Sequence, residues 1–318
     1  MKAVQVLGDK SSPKIICNND VPKPVVQGSE ILVRVHAAGI TGDEITWPEL
    51  YRTASRIPGH DISGTIASLG PDYDGRLKIG QKVFALLHAD RGQGQAEYVV
   101  CHEDEFAPKP PSISHIEAAA LPIPALTAWE AMMDHVQIGA DTKVLVTGAS
   151  GAVGATFVQL VKHLTGAKVL ALASQQNNDE VRRLGADEVL DYRVAGWEKL
   201  AAGVEVVFDT VGGDVLAKAW EAVNDQGTII TVADPPPPWA FDRGSALESV
   251  AHPGVRYVYF IVSPNSQRLA EVSKLIDDGA VEALKVRTFS IEQADQAWAH
   301  ARGRNRGYKA VIEMKVDA

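Results

Sequence analysis

The segment that most restricts the fold is Lys143-Val-Leu-Val-Thr-Gly-Ala-Ser-Gly-Ala-Val-Gly154, where an apolar run ends in a cluster of small residues. Beyond it Val153, Phe157, Leu160, Val161 and Leu164 recur at helical spacing, so the segment reads as a strand, a tight turn and a helix with one apolar stripe. The missing side chains have a steric meaning. With no Cβ at Gly151, backbone amides can come close to a pyrophosphate, and Gly154 allows close helix-to-strand packing; the anion then rests on the positive end of the helix. Ala149 stands where the usual fingerprint has its first glycine, so the motif is a variant. A glycine-rich turn that binds nothing is the plain alternative. Against it, a second apolar run at Lys168 to Ala173 falls where a βαβ unit needs its next parallel strand, and that context points to a dinucleotide.

The end of that second strand bears on which dinucleotide. An Asp or Glu about 20 residues past the glycines normally holds the ribose 2′-hydroxyl of NAD. Here the chain reads Ala171-Leu-Ala-Ser174-Gln-Gln-Asn-Asn178, without an acid. A carboxylate there would repel a 2′-phosphate, so its absence favours NADPH.

Around this segment the grammar changes once. Up to about residue 107 the chain shows short alternating runs broken by Gly, Pro and Asn or Asp; in Glu30 to His36, Ile31, Val33 and Val35 fall on one face, the mark of a half-buried antiparallel strand. Runs at 61–69, 82–87 and 96–101 look alike. After Ala107-Pro-Lys-Pro-Pro-Ser112, which suits neither helix nor central strand, strands are expected at 143–147, 168–173, 187–190, 204–209, 227–232 and 255–262 with helical segments in most gaps. Such alternation implies a parallel sheet covered on both faces. The tail from Gln267 carries an amphipathic helix (Leu269, Val272, Leu275, Ile276) and then strand-like segments near 285–289 and 310–314, so it is expected to pack back on the first region. The fold class is α/β, with an antiparallel β domain over 1–122 and 267–318 and a doubly wound parallel domain over 123–266.

Composition narrows the partners. Over 318 residues, 31 Lys and Arg against 40 Asp and Glu give a net charge of −9, and without a basic block no phosphate-tracking nucleic-acid surface is expected. No run of 18 apolar residues exists, which argues against a membrane span. The start of the chain enters a strand pattern directly, without a signal peptide, and the two cysteines suit a reducing compartment; a cytoplasmic address is expected.

Several ordered motifs then carry a family resemblance. Val35-His-Ala-Ala-Gly-Ile40, Pro58-Gly-His-Asp-Ile-Ser-Gly64, Gly94-Gln-Ala-Glu-Tyr98, Ala118-Ala-Ala-Leu-Pro122, Leu126-Thr-Ala-Trp129, Val146 to Gly154, Leu184-Gly-Ala-Asp187, Asp191-Tyr192 and Phe208-Asp-Thr-Val-Gly-Gly213 together resemble the medium-chain dehydrogenase/reductase superfamily, in its zinc-independent quinone oxidoreductase branch, the zeta-crystallin-like enzymes. The resemblance implies a GroES-like β domain plus a Rossmann domain with the active site in the cleft between them, and a homodimer. It also implies that Ser150, Gly151, Ala152 and Val153 line the pyrophosphate, and that Ser174 and Tyr192 approach the 2′-phosphate. Val211 would lie near the adenine, Thr127 near the nicotinamide ribose, and the backbone of Phe260 to Val262 near the carboxamide. Two departures stand out: the Lys that many relatives carry near Asn177 for the 2′-phosphate is missing, and Thr41 replaces the usual cleft Asn.

Other residues invite chemistry. His60 matches a zinc-ligating position of metal-dependent cousins, but Thr41 and Ile123 occupy the positions of the other ligands, so no metal is expected. Trp47 and Tyr51 could stack on a flat substrate or simply pack; Asp43 could orient a water or shape a turn; His36 and His88 read as plain strand residues. Asp234 to Trp239, with four prolines, could be a lid or a rigid connection. The expected activity is hydride transfer from NADPH to quinones or to the C=C of α,β-unsaturated carbonyls, with Thr41, Trp47 and Tyr51 shaping the acceptor site. An enoyl-thioester or biosynthetic tailoring reductase, or a non-catalytic NADPH-binding protein, are the alternatives.

Overall fold

In the computed structural model, which describes residues 1–303 and 307–315, the chain divides into two compact units: Thr127–Val262, and Met1–Leu126 together with Ser263–Ala318. The first of these holds a six-stranded, all-parallel sheet: β1 (Lys143–Thr147), β2 (Lys168–Ala173), β3 (Glu188–Asp191), β4 (Val204–Asp209), β5 (Val223–Thr231) and β6 (Arg256–Tyr259). Their spatial order is 3-2-1-4-5-6, the doubly wound order in which ligands bind beyond the carboxyl ends of β1 and β4, where the winding reverses. The strands are continuous apolar runs because helices and loops cover the sheet. Val144, Leu145, Val146, Val207 and Phe208 are all fully buried, and the Phe157 and Phe208 rings stack at 4.1 Å.

Three expectations for this unit need correction. Leu164, assigned to the buried stripe, is 42% exposed, because it sits in the last turn of helix Ala152–Thr165, whose buried residues end at Val161. The sixth strand stops at Tyr259 instead of Val262: its ladder partner β5 ends at Thr231, directly opposite Tyr259. The fifth begins four residues earlier than expected, at Val223, with a register shift against β4.

The other unit is built on a seven-stranded sheet in the order Val286–Ser290, Lys309–Glu313, Ile31–Gly39, Asp61–Leu69, Lys82–Leu86 and Phe106–Pro108, with Tyr98–Cys101 also pairing Ile31–Gly39. Only the pair from the tail is parallel; the rest is antiparallel. The tail thus returns to the first region's sheet, though through one parallel step that the alternating pattern did not suggest. Its helix Ser266–Asp277 buries Leu269, Val272 and Ile276 and leaves Leu275 half-exposed. Strand Ile31–Gly39 is more deeply buried than a one-faced strand: Ile31, Val33 and Val35 face the main core, but Leu32 and Ala37 are buried too. Ala37 packs with Ala119, Ala120 and Val311 in a second small cluster, so the chain after helix His115–Ala118 covers the other face.

Candidate functional site

At the carboxyl end of β1 the backbone turns on Gly148, whose φ of +62° belongs to glycine and whose Cβ would lie 2.3 Å from Thr210 Oγ1. Gly151 then caps helix Ala152–Thr165 with an extended backbone and no side-chain cap, leaving the amides of the first turn without intrahelical partners. Ser150 and Gly151 are exposed, and Ala152 and Val153 half-buried. The glycines have separate tasks. A Cβ at Gly154 would sit 2.4 Å from Gly148 O, whereas one at Gly151 would meet only that oxygen, at 3.2 Å; Gly154 serves packing and Gly151 access from solvent.

A buried carboxylate ties the switch point together. Asp209, at the end of β4, accepts hydrogen bonds from Thr147 Oγ1 (2.6 Å), Thr231 Oγ1 (2.7 Å) and the amides of Val211 (3.2 Å) and Gly212 (3.1 Å). Burial pushes its carboxyl up, and these donors pull it partly back. The network joins β1, β4 and β5 and sets the loop that holds Val211 out, 46% exposed, as a platform for a flat ring would need to be.

On the far side of β1, Ser174 ends β2 and is 5% exposed. The Asn177 amide donates to both Ser174 Oγ and Ser150 Oγ, each at 3.1 Å, and so joins the glycine turn to the end of β2. Asp191, level with Ala173 on the neighbouring strand β3, accepts from the amide of Gln175 (3.3 Å) and is clasped by Arg193, Nη2 to Oδ2 at 2.6 Å and Nε to Oδ1 at 3.0 Å. Tyr192 between them is 39% exposed. Thr127 is buried on helix Pro122–Asp134, and Phe260, beyond the end of β6, lays its ring 4.6 Å from His135, with Val262 half-buried two residues on. Sequence reasoning met Asp191 only as part of a motif and passed over Arg193: only the strand register reveals that an acid outside β2 lies beside its end.

These residues fit a dinucleotide. The open turn, the uncapped helix of 14 residues and the protruding Val211 supply an anion seat and a ring platform. A nicotinamide cofactor held there would be contacted by Ser150 to Val153 at its pyrophosphate.

In the other unit, Thr41, Trp47 and Tyr51 share the loop after strand Ile31–Gly39, which contains two single 3-10 turns, Glu44–Thr46 and Leu50–Arg52. Trp47 is half-buried: its indole N–H donates to Asp43 Oδ2 at 2.8 Å and its ring lies 5.0 Å from that of His60. Tyr51 packs against the core with its hydroxyl on Ile45 O at 2.8 Å. Asp43 is therefore a turn residue whose carboxylate holds Trp47. His60 is buried, with Nδ1 against Glu44 Oε1 and Nε2 3.2 Å from Ala89 O. Burial opposes its charge most strongly, but the Glu44 carboxylate, joined by the Ala89 carbonyl and Asp61, outweighs it and raises the imidazole above its usual value. Both ring nitrogens are thus engaged, and among the described residues no three potential metal ligands converge. Glu44 escaped the sequence reading because its partner is 16 residues away.

Asp61, next to His60, forms a buried ion pair with Lys309 Nζ at 2.6 Å and accepts the amide of Ile123 at 2.6 Å. His36 is in its strand as expected, but its ring stacks on that of His115 at 4.3 Å. His88 lies just past a strand and bonds Asp104 at 3.0 Å. The proline-rich loop is pinned by Trp239, 9% exposed and edge-on to Tyr257, which favours a fixed connection.

Comparison with known proteins agrees with this architecture. Residues 27–111 match the family model described as alcohol dehydrogenase GroES-like domain, and residues 184–312 the one described as zinc-binding dehydrogenase. The mitochondrial NAD(P)H oxidoreductase RTN4IP1 of Danio rerio is 31% identical over 91% of this chain and 84% of its own. The chain belongs to the medium-chain dehydrogenase/reductase superfamily, in its quinone oxidoreductase branch. The 2-methylene-furan-3-one reductase of Solanum lycopersicum is 28% identical over 83% of this chain and 66% of its own. The solved structure of the quinone oxidoreductase from Coxiella burnetii superposes with a TM-score of 0.84 at 26% identity, over 99% of each chain. Oxidoreductase chemistry with a nicotinamide cofactor comes with this membership.

Proposed function

We propose that the protein is a zinc-independent reductase that takes hydride from NADPH to a quinone or to the C=C of an enone. The observation that carries the cofactor half is the end of β2, where buried Ser174, held by Asn177, takes the place of a ribose-binding acid beside an open helix terminus. The acceptor half is supported by the names of two relatives, a quinone oxidoreductase and a furanone reductase, and by the side chains of the Thr41–Tyr51 loop.

When bound, NADPH supplies the hydride. The protein's part is to orient the acceptor and exclude water. Trp47, fixed by Asp43 and by the His60 ring, offers a rigid flat face, and the Thr41 hydroxyl offers a donor. Reduction of an unactivated ketone would gather charge on an alkoxide and call for a Lewis acid or a strong proton donor. A conjugated acceptor spreads that charge to an enolate or hydroquinone oxygen, for which a hydroxyl or solvent suffices.

The test is NADPH consumption over a panel of quinones, alkenals and enoyl thioesters, with products identified by mass spectrometry and a parallel assay of alcohol oxidation. Rapid reduction of enones or quinones, insensitive to chelators, is expected; rapid alcohol oxidation alone would refute the reading, and inertness toward every acceptor would favour a binding protein. Two chains are proposed to pair along β6, an edge strand flanked by Leu247 and Val250, 88% and 86% exposed. Light scattering at the mass of one chain across micromolar concentrations would refute that dimer.

A further inference from the structure

The absence of an acid at the end of β2 does not by itself make the ribose pocket welcoming to a phosphate, because β3 brings one alongside. Asp191 is level with Ala173, and its Oδ2 lies 3.3 Å from the amide of Gln175, the residue after Ser174. A bare carboxylate at that distance from the β2 turn would oppose a dianionic 2′-phosphate. The structure shows it neutralised. Arg193 grips Asp191 through Nε (3.0 Å) and Nη2 (2.6 Å), and its own backbone amide binds Oδ1 at 2.9 Å. The guanidinium holds the Asp191 carboxyl well below the usual carboxylate range, so the acid is fixed as an anion with its charge already matched. Only two of the five guanidinium N–H groups are used on Asp191, and the side chain is 56% exposed. The guanidinium also lies 5.9 Å from the ring of Tyr192, itself 39% exposed.

We propose that Arg193 is the residue that selects the 2′-phosphate, held ready by Asp191, and that it supplies the positive charge absent at Asn177. The inference rests on the reading of this unit as a nicotinamide-dinucleotide site. Asp191 restrains the guanidinium beside the end of β2 and cancels its own repulsion; the remaining donors meet the phosphate, an anion that the planar fork of Arg recognises well.

The decisive experiment avoids turnover. Binding of 2′,5′-ADP and of 5′-AMP, which differ by the phosphate in question, is measured by titration calorimetry for the wild type and for Arg193→Ala, Arg193→Lys and Asp191→Asn, with thermal unfolding as a check on folding. Arg193→Ala should weaken 2′,5′-ADP at least tenfold and leave 5′-AMP within twofold; Arg193→Lys should recover part of the loss. Asp191→Asn, which loosens the clasp on the guanidinium, should lose part of the advantage of 2′,5′-ADP over 5′-AMP, and that advantage in the wild type should shrink as salt rises. Equal losses for both nucleotides in Arg193→Ala, or no loss for either, would overturn the role of Arg193 while leaving the dinucleotide site standing. A wild type that binds neither nucleotide would overturn both.

Discussion

Replacing Lys309 by Met strips the counter-ion from Asp61 in a place nearly closed to solvent. The two side chains are 5% and 1% exposed and meet at 2.6 Å, and Asp61 keeps one further donor, the amide of Ile123. Removing one partner of such a pair costs about 3–5 kcal/mol. The structure sets a ceiling as well, because the orphaned carboxyl can always escape by taking a proton. Its ordinary value is 3.8, so protonating it at pH 7 costs about 4.4 kcal/mol, at about 1.36 kcal/mol per unit, and at pH 5 only about 1.6. Burial already pushes the Asp61 carboxyl up in the wild type, against the pull of Lys309. In the variant it rises further, so the folded form binds the proton more tightly than the unfolded one. The sign follows: the loss of stability in Lys309→Met must be small in acid and grow as pH rises toward the new folded value. Urea titrations of wild type and variant at pH 5 and 7 measure both losses. A destabilisation of about 3–4 kcal/mol at pH 7 that shrinks below about 2 at pH 5 is expected, with Asp61→Asn in the Lys309→Met background restoring much of the difference at pH 7. A loss under about 1 kcal/mol at pH 7, or one independent of pH, would refute the argument that a desolvated ion pair holds this part of the sheet.

Other outcomes follow from the same kind of reasoning. His115 is pushed down to about 4 by burial, by the His36 ring stacked on it, and by Lys109 and Lys82; since the unfolded chain takes up this proton near 6.5, stability should fall as pH drops from about 6.5 toward 4, and His115→Gln should flatten that limb in thermal melts. His60 has the opposite sign, because its folded value is raised by Glu44: its contribution is present below about 6.5 and is lost as pH climbs past the folded value, and Glu44→Gln should lower the His60 titration seen by NMR. Gly154→Ala should destabilise the dinucleotide-binding unit, its Cβ only 2.4 Å from Gly148 O, whereas Gly151→Ala should melt close to wild type and lose nucleotide affinity, as calorimetry and melting together would report.

How much of this was legible in the sequence depends on the range of the interaction that fixes each residue. The doubly wound unit was readable because its decisive signals are local: the apolar run at Lys143–Thr147, the small-residue turn and the helical stripe follow one another within about two dozen residues, and five of the six strands begin within one residue of their expected start. The misplaced ends have local causes of another kind, since Tyr259 ends β6 only because Thr231 ends β5, which no property of Phe260 or Ile261 announces. Pairs set by tertiary register were invisible. Glu44 and His60, Asp61 and Lys309, and His36 and His115 are separated by 16, 248 and 79 positions, and each reads alone as an ordinary polar residue near a strand.

Asp191 shows why the residue types at a site are insufficient without register. It was read as part of a family motif, and the argument for NADPH counted acids only at the end of β2. In the fold the parallel pairing of β3 with β2 brings Asp191 to the same level as Ala173, so the absence of an acid at Ser174 is a statement about one strand and not about the pocket. On the proposed reading, what turns the local field in favour of a phosphate is the next but one residue, Arg193, whose side-chain bonds to Asp191 hold a positive group where the acid alone would have favoured a free ribose hydroxyl. Preference at this pocket would then belong to a coupled pair. Removing Arg193 should move selectivity toward the unphosphorylated nucleotide further than placing an acid at Ser174 would in a chain where Arg193 remained, because the first change uncovers a charge and the second adds one that the same guanidinium can partly offset. Calorimetric comparison of Arg193→Ala with Ser174→Asp decides it: a larger loss of 2′,5′-ADP affinity in Ser174→Asp would show that the pocket is governed from the end of β2 after all.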